Sequence, residues 1–415
     1  MTPSEVTKDR TMKHPPYAEI PYEEYRGRLD KAHGLMEQEG IDALLLFAGK
    51  NVYYYSGYRR TVDTVKVEGI LIPKRHPPVM LMPQLTSRYC EKAVWIEDIR
   101  PYSGAPYLNY PKTAVDLATQ TLQDLGLDRA VIGLETGGEI YPHITFGETE
   151  RIRAAFPRNT FVDASRLIWT QRKIKSAFEQ DIMRRVGRIA LDGFNAGLEA
   201  LREGMTETEL LRIIWRSWMD QGVADTPMEG QLLIRTGFRE GGPNGRYPCS
   251  HARPTDYPIR RGETVLIDAG PCYRGYFADL MRQACIGPPS DTLRELFDAA
   301  VAGYQQGIRL LKPGVRISDL TRQAVDAMKR YNPRISYPLS FVGHSLGLTI
   351  HEPPWFTVDE TSLLEPGMVI NFEIGAYDIP EWRTLGGFLE DMFLITEDGS
   401  ENLTPEGSMT LYVTE

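Results

Sequence analysis

The sequence predicts a two-domain α/β protein, with an N-terminal α/β domain followed by a C-terminal pseudo-twofold α+β domain. Three observations support this fold class. A chain of 415 residues exceeds what one core usually organises. Strand-like and helix-like patterns alternate in the first part, and the second part repeats itself at an offset of 110 residues. We expect a flexible leader over 1–20, a first domain over 21–170 and a second over 171–415.

Composition and charge limit the functional classes. Hydrophobic residues at 42%, charged residues at 25% and a mean hydropathy of -0.33 are typical of a globular protein. A net charge of -9 without a basic run argues against a nucleic-acid partner. No apolar run approaches the ~20 residues of a membrane span, and residues 1–16 do not resemble a signal peptide. With the scattered cysteines Cys90, Cys249, Cys272 and Cys285, this predicts a cytoplasmic protein without a membrane partner.

The first domain shows helices and strands in alternation. Tyr22 to Gly40 has apolar residues at helical spacing and ends at a glycine. The apolar runs that follow predict strands over 41–47, 69–72, 79–82 and 130–134, with helices over about 113–125 and 149–156. The polar stretch Gln171 to Ser176 is the predicted linker.

The second domain contains two copies of one pattern. Ala190 to Leu210 aligns with Ala300 to Leu320, and each copy predicts a helix that ends at a glycine, a Thr or Ser cap and a second helix. Strands follow each copy, predicted over 231–234, 264–269 and 275–285, then over 340–342, 368–377 and 387–396. Two similar halves imply a functional site where they meet.

Two aspartates stand out in the segment Val265 to Leu280. Asp268 follows the run Val265-Leu266-Ile267, and Asp279 lies in an apolar segment, so both acids are expected to be buried. A buried ionised carboxylate needs a cation, a proton or several donors. The turn Cys272 to Gly275 is short enough for a hairpin that brings the acids together. Strand-end aspartates also serve as caps, and the pair alone leaves the two interpretations even.

Further candidates come from the second half of the repeat. Glu373 and Glu390 lie in apolar strands, and His344 stands in a glycine-flanked turn. Arg282 is the cation within these strands, but its odd spacing from Asp279 places it on the opposite face. Four carboxylates and one imidazole exceed what one divalent ion neutralises and predict two ions sharing carboxylates. Hard oxygen ligands favour manganese, cobalt or iron(II) over a structural zinc.

The order of these motifs resembles the prolidase, aminopeptidase P and creatinase family of pita-bread metallopeptidases. The resemblance spans nearly the whole chain and rests on seven segments: Asn51 to Gly57, Arg172 to Glu179, His251 to Asp268, Gly343 to Gly347, His351 to Pro353, Glu365 to Glu373, and Glu390 to Gly399. It implies a creatinase-like N-terminal domain and a pita-bread catalytic domain. It also implies an Xaa-Pro dipeptidase-like or aminopeptidase P-like metallopeptidase.

The resemblance also implies roles for individual residues. It implies a metal-ligand set in which Asp279 and Glu390 bridge two ions, namely Asp268, Asp279, His344, Glu373 and Glu390. Glu373 would accept the proton of the nucleophilic water, a metal-bridging hydroxide, while His251 and His351 would bind substrate and oxyanion. The ions would be manganese, with cobalt, iron or zinc as alternatives. The substrate would be an Xaa-Pro dipeptide or peptide, or a similar small amide, and the protein a homodimer.

Three features separate this chain from the family pattern or leave alternatives open. Phe388 stands where many relatives have an arginine, and Arg383 and Trp382 are candidate replacements. The loop Thr236 to Cys249 either shapes specificity or is solvated. Tyr53 to Arg60 either approaches the neighbouring subunit's site or ends an aromatic core strand. The alternative function is a non-peptide reaction on a small nitrogen or sulfur compound, as in creatinase, ectoine hydrolase or dimethylsulfoniopropionate lyase. A non-enzymatic binding module is disfavoured because all five ligands are present.

Overall fold

The computed structural model describes residues 15–59, 67–105, 109–223, 231–238, 254–333, 341–377 and 386–415. The chain divides into two compact units, Met1–Gln171 and Arg172–Glu415. Both units mix helices and strands, which confirms the predicted fold class. None of the helices in the described ranges is both long enough and apolar enough to cross a membrane.

The first unit alternates helices and strands along the chain. Its elements are α1 (Tyr22–Glu39), β1 (Ala43–Leu46), α2 (Gly49–Ser56), β2 (Gly69–Pro73), β3 (Val79–Pro83), α3 (Gln84–Ala93), β4 (Asp98–Tyr102), α4 (Ala114–Asp124), β5 (Val131–Leu134), α5 (Phe146–Ala155) and β6 (Thr160–Asp163). Helix α6 (Ser165–Lys173) crosses the boundary between the units in sequence.

The six strands of the first unit form one sheet in the order β4-β3-β2-β1-β5-β6. Strand β1 is antiparallel to β2 and parallel to β5. Leu44 and Leu45 are both buried, and successive strand residues point to opposite faces, so both faces of β1 are covered. Leu117 and Leu122 of α4 belong to the apolar core with Leu45.

One prediction for this unit is wrong, and the predicted linker is partly helical. Tyr53 to Ser56 belong to α2 and not to a strand end, and the helix ends at Gly57 with φ 78°. The buried carboxylate of Glu135 accepts hydrogen bonds from Phe47 N at 2.6 Å and Ala48 N at 2.9 Å at the start of α2. Residues 171–173 of the predicted linker form the last turn of α6.

The second unit begins with a long helix pair and then builds a large sheet. Its elements are α7 (Ala177–Ala200), α8 (Glu207–Asp220), β7 (Gln231–Phe238), β8 (Thr264–Gly270), β9 (Cys272–Tyr273), β10 (Tyr276–Phe277), β11 (Leu280–Ile286), α9 (Asp291–Ile308), α10 (Ile317–Tyr331), β12 (Phe341–Ser345), β13 (Glu352–Thr357), β14 (Val369–Tyr377), β15 (Gly386–Ile395), β16 (Ser400–Asn402) and β17 (Leu411–Thr414).

The repeat appears as two helix pairs, α7 with α8 and α9 with α10. Gly193 and Gly303 are equivalent in the two copies, and both allow close packing. A Cβ atom on Gly193 would lie 2.1 Å from Trp218 Nε1, and one on Gly303 would lie 2.4 Å from Ile374 Cδ1. The predicted Thr or Ser cap is present only in the first copy, where Thr206 and not the aligned Thr208 caps α8. The aligned Ser318 lies inside α10, which has no side-chain cap.

Strands from both halves join one sheet in the order β13-β12-β14-β15-β11-β8-β7. The predicted hairpin is present as the antiparallel pair β8 and β11. A small second hairpin, β9 with β10, is inserted between them and turns at Arg274 and Gly275, which have φ 50° and 79°. Asp279 therefore lies between two strands. Residues Glu352 to Pro354 begin β13.

Candidate metal centre

A row of paired residues crosses four strands of the second sheet. Asp268 of β8 pairs with Met281 of β11, Met281 pairs with Glu390 of β15, and Glu390 pairs with Glu373 of β14. Residues directly opposite each other on neighbouring strands project from the same face. The register therefore places Asp268, Glu390 and Glu373 on one face of the sheet.

His344 and Asp279 join this face from its two sides. His344 of β12 pairs with Asn371, which lies two residues before Glu373 and so shares its face. Ligand atoms of Asp268, Asp279 and Glu390 lie within 4.8 Å of one another, and so do those of Asp279, His344 and His351. Asp279 belongs to both groups and connects them.

The close approach of Gly270 to Ala278 helps to fix Asp279. A Cβ atom on Gly270 would lie 1.7 Å from the Ala278 carbonyl oxygen. Only a glycine at the end of β8 permits this contact. The segment that precedes Asp279 is therefore held directly against the strand that carries Asp268.

The buried acids raise each other's pKa. Burial, followed by the charges of Asp268 and Glu373, raises the pKa of Asp279 well above its usual value. Burial and the charges of Asp279, Glu373 and Asp268 do the same for the pKa of Glu390. Among the described residues, Asp279 Oδ1 and Glu390 Oε2 are buried without a hydrogen-bond partner. A cation between the acids would satisfy both oxygens.

The imidazole of His344 is in the form that binds metal ions. Its Nδ1 lies 3.0 Å from the Ser345 carbonyl oxygen, so Nδ1 carries the proton. Its Nε2 faces Asp279 Oδ2 at 3.9 Å and Glu390 Oε1 at 4.0 Å. Burial and the neighbouring His351 lower the pKa of His344 to about 3. The Nε2 lone pair is therefore available beside the two acids.

This donor set fits divalent ions. Carboxylate oxygens and one neutral imidazole are the ligands that hard and borderline divalent ions take in proteins. Partnerless oxygens on Asp279 and Glu390 point to a cation within the set. Glu373 lies on the same face and is half-buried, and its charge helps to raise the pKa of both Asp279 and Glu390.

A buried ion network anchors the loop between His344 and His351. Glu352 forms ion pairs with Arg172 and with Lys175, the latter at 3.5 Å, and all three side chains are buried. Lys175 Nζ also donates to Ser345 Oγ at 3.3 Å. Thr349 N donates to Glu352 Oε1 at 3.1 Å. The pairing of Arg172 and Lys175 with Glu352 was not predicted.

The remaining predicted site residues have separate outcomes. His351 is exposed, its ring centroid lies 4.5 Å from that of His344, and it stacks on Trp355 with centroids 5.4 Å apart. Phe388, two residues before Glu390, joins an apolar cluster with Leu266 and Met281. The described residues do not include His251, Trp382, Arg383 or most of the loop Thr236 to Cys249.

Asn371 is a site residue that the sequence analysis missed. Its Nδ2 donates to Glu390 Oε1 at 2.8 Å and to the Asp279 carbonyl oxygen at 3.0 Å. The available signal was its place two residues before Glu373 in an apolar strand, which puts both side chains on one face. Apolar neighbours made it resemble a core position.

The class of protein that these features define is a two-unit α/β protein whose second unit carries a donor set suited to divalent ions. The model of metallopeptidase family M24 matches residues 181–397, and that of the creatinase/prolidase N-terminal domain matches residues 28–174. The chain therefore belongs to metallopeptidase family M24, and it is an enzyme. This confirms the predicted family, and family membership implies divalent metal ions.

Known relatives match almost the full length of the chain. An uncharacterized peptidase, YqhT, from Bacillus subtilis (strain 168) is 27% identical over 387 residues, which covers 91% of this chain and 97% of the relative. An Xaa-Pro dipeptidase from Bacillus anthracis has a TM-score of 0.77 at 22% identity, covering 94% of this chain and 99% of that one. A prolidase from Pyrococcus horikoshii OT3 has a TM-score of 0.74 at 24% identity, covering 91% and 98%. These solved structures confirm the fold.

Proposed function

We propose that this protein is a divalent-metal-dependent peptidase that hydrolyses the bond before proline in Xaa-Pro dipeptides or short peptides. The observation that carries the proposal is the buried group Asp268, Asp279 and Glu390, with the neutral His344 beside it. Membership of a metallopeptidase family supports it. Solved structures of the same fold include an Xaa-Pro dipeptidase, an X-Pro aminopeptidase from Thermotoga maritima MSB8 and several prolidases.

The proposed ligands are the five residues on one face of the sheet. They are Asp268, Asp279, His344, Glu373 and Glu390, with Asp279 and Glu390 shared between two ions, as the family resemblance implies. Asp279 belongs to both groups of ligand atoms, and Glu390 Oε1 lies 4.0 Å from His344 Nε2. When bound, two such ions would polarise the substrate carbonyl and lower the pKa of a bound water to near neutral. The ions proposed are Mn²⁺, with Co²⁺, Fe²⁺ and Zn²⁺ as alternatives.

The remaining roles concern proton transfer and substrate binding. Glu373 is the proposed proton acceptor, as the family resemblance implies; it is half-buried and lies directly opposite Glu390 in the strand pair. His351, exposed beside His344, is the proposed hydrogen-bond donor to the substrate. His251 keeps the same proposed role and lies outside the described residues.

Metal replacement tests the proposal. The protein is stripped with chelator, reloaded with Mn²⁺, Co²⁺, Fe²⁺ or Zn²⁺, and assayed on Xaa-Pro dipeptides, longer Xaa-Pro peptides and small betaine or guanidino compounds. We expect about two equivalents of bound ion and hydrolysis of the Xaa-Pro substrates. A protein that retains none of these ions would contradict the metal-dependent mechanism. Turnover of the small compounds alone would contradict the peptidase assignment.

A charge-removing substitution tests the proton acceptor. Glu373→Gln keeps the side-chain shape but cannot accept a proton, so we expect kcat to fall by at least about 100-fold. Glu397→Gln, at an exposed position in the same unit, is the control and should match the parent enzyme. Circular dichroism checks that both variants fold. A fully active Glu373→Gln would remove this residue from the role.

We further infer that the protein is a homodimer, as the family resemblance implies, and that it is cytoplasmic, as its composition and scattered cysteines indicate. Sedimentation equilibrium tests the oligomeric state, and a mass of one chain at micromolar concentration would contradict it. Fractionation of the source cells tests the compartment. Neither property affects the assignment of the ligand residues.

A further inference from the structure

We propose that Asn371 is a positioning residue that orients Glu390 and the Asp279 segment toward the bound ions and thereby sets the affinity for them. This inference rests on the proposed function, because it takes Asp279 and Glu390 as metal ligands. It adds a residue that is neither a ligand nor a substrate contact.

The position of Asn371 in the sheet gives its side chain access to the acids. Asn371 lies in β14 and is fully buried. It is paired with His344 on one side and with Met392 on the other. Its neighbours Ile370 and Phe372 belong to the apolar core on the opposite face of the sheet. Asn371 is therefore a polar residue aimed at the metal face.

The amide nitrogen of Asn371 contacts the carboxylate of Glu390 and the main chain of Asp279. One Nδ2 hydrogen goes to Glu390 Oε1 at 2.8 Å, and the other goes to the Asp279 carbonyl oxygen at 3.0 Å. Because both partners are acceptors, the nitrogen and not the oxygen of the amide must face them. One side chain thus uses both of its donor hydrogens on the two residues that the ions are proposed to share.

These two bonds restrict how the acids can move. The bond to Glu390 Oε1 fixes the plane of the carboxylate and leaves Oε2, which has no hydrogen-bond partner among the described residues, for an ion. The bond to the Asp279 carbonyl oxygen holds the chain between β10 and β11, where ladder pairing is absent. Groups that orient metal ligands in this way commonly change metal affinity by about 10–100-fold when removed.

The amide oxygen supplies a second observation. Asn371 Oδ1 is buried without a hydrogen-bond partner among the described residues. A buried amide oxygen without a partner costs free energy in the folded state. An apolar side chain at this position would avoid the cost of the partnerless oxygen. The benefit of an amide here is therefore the two hydrogen bonds that Nδ2 donates.

The test compares two substitutions that face each other across the strand pair. Asn371→Leu removes both donors and keeps the branched shape of the side chain, with methyl groups in place of the amide oxygen and nitrogen. Met392→Leu changes the fully buried residue directly opposite and removes no donor. Metal-stripped full-length protein is titrated with Co²⁺ alone and followed by calorimetry and by the visible absorption of bound Co²⁺. We expect Asn371→Leu to bind Co²⁺ about 10–100-fold more weakly than Met392→Leu, with an altered absorption spectrum.

The outcomes separate this inference from the proposed function. If Asn371→Leu matches Met392→Leu in affinity and spectrum while the parent binds Co²⁺, the role of Asn371 is overturned and the proposed function stands. If the parent does not bind Co²⁺, the titration is repeated with Mn²⁺, Fe²⁺ and Zn²⁺, and a parent that binds none of the four ions overturns both. If Asn371→Leu does not fold, Asn371→Ser, which is smaller and polar, replaces it, and parental affinity in that variant overturns the proposal.

Discussion

At the scale of single residues, the side chain of Asn371 connects Glu390 with the main chain of Asp279 through two hydrogen bonds. Glu373 and Glu390 were predicted because charged residues rarely occupy apolar strands without a partner. The role of Asn371 was not predicted, because an uncharged amide in a strand needs no charged partner and its partners Glu390 and Asp279 are distant in sequence. His344 was found by its glycine neighbours, but its tautomer depends on the Ser345 carbonyl oxygen.

The protonation state of His344 yields a prediction. Because burial and His351 lower its pKa to about 3, the ring should stay neutral in metal-stripped protein at pH 5, with the proton on Nδ1. Long-range ¹H–¹⁵N correlation spectra of labelled protein measure this directly, and His344→Gln assigns the signal by its disappearance. A His344 signal that titrates near the ordinary histidine value of about 6.5 would contradict the prediction.

Phe388 yields a prediction about specificity. The apolar cluster of Leu266, Met281 and Phe388 lies on the metal face and is suited to uncharged groups. Phe388→Arg should favour a substrate with a free carboxylate, because a charged hydrogen bond contributes about 1.5–3 kcal/mol. We expect the ratio of kcat/KM for an Xaa-Pro dipeptide over its C-terminal amide to rise at least about tenfold. Phe388→Leu is the control, and an equal ratio in both variants would refute the idea.

At the scale of elements, the predictions failed where a helix depends on a distant residue. The tyrosines of α2 favour strands by propensity. Glu135 overrides this, because its Oε1 accepts from Asn51 Nδ2 across 84 residues of sequence. The predicted linker, Gln171 to Ser176, contains two buried cations, Arg172 and Lys175. Its Arg172 is buried against Glu352, 180 residues away. Neither partner is visible from local sequence.

The buried network around Glu352 yields a stability prediction. Burial alone would raise the pKa of Glu352, but Arg172 and Lys175 hold it below the ordinary value. Glu352→Gln leaves both cations without this counter-charge and should lower the free energy of unfolding by about 3–5 kcal/mol at pH 7. Urea denaturation measures the loss. Glu365→Gln breaks a more exposed pair with Lys173 and should cost at most about 1 kcal/mol.

The same network predicts a pH dependence. A carboxylate with a lowered folded pKa stabilises the fold above its unfolded pKa, about 4.3. That contribution to stability is lost as the pH falls through the pKa of the carboxylate in the folded state. The difference in unfolding free energy between the parent and Glu352→Gln should therefore shrink on acidification below about pH 4. If this difference in unfolding free energy stays constant from pH 7 to pH 3, the negative charge of Glu352 is not what stabilises the fold.

At the scale of the whole molecule, the internal repeat was the most informative pattern. It predicted two helix pairs, each followed by strands, and both pairs are present as α7 with α8 and α9 with α10. The order of strands within the sheet was not predictable, since pairing such as β11 with β15 joins the two halves. His251 and Arg383 stay predictions because they lie outside the described ranges.

The division of the chain yields the last prediction. We propose domain limits of 21–170 and 171–415, and all five proposed ligands lie in the second domain with a large apolar core of their own. A fragment of 171–415 should therefore unfold cooperatively and bind as many Co²⁺ ions per chain as the full-length protein. The same fragment with Glu390→Gln is the control and should bind Co²⁺ more weakly, since it loses a shared ligand. A fragment that is folded by circular dichroism yet binds no Co²⁺ would show that the centre depends on the first domain.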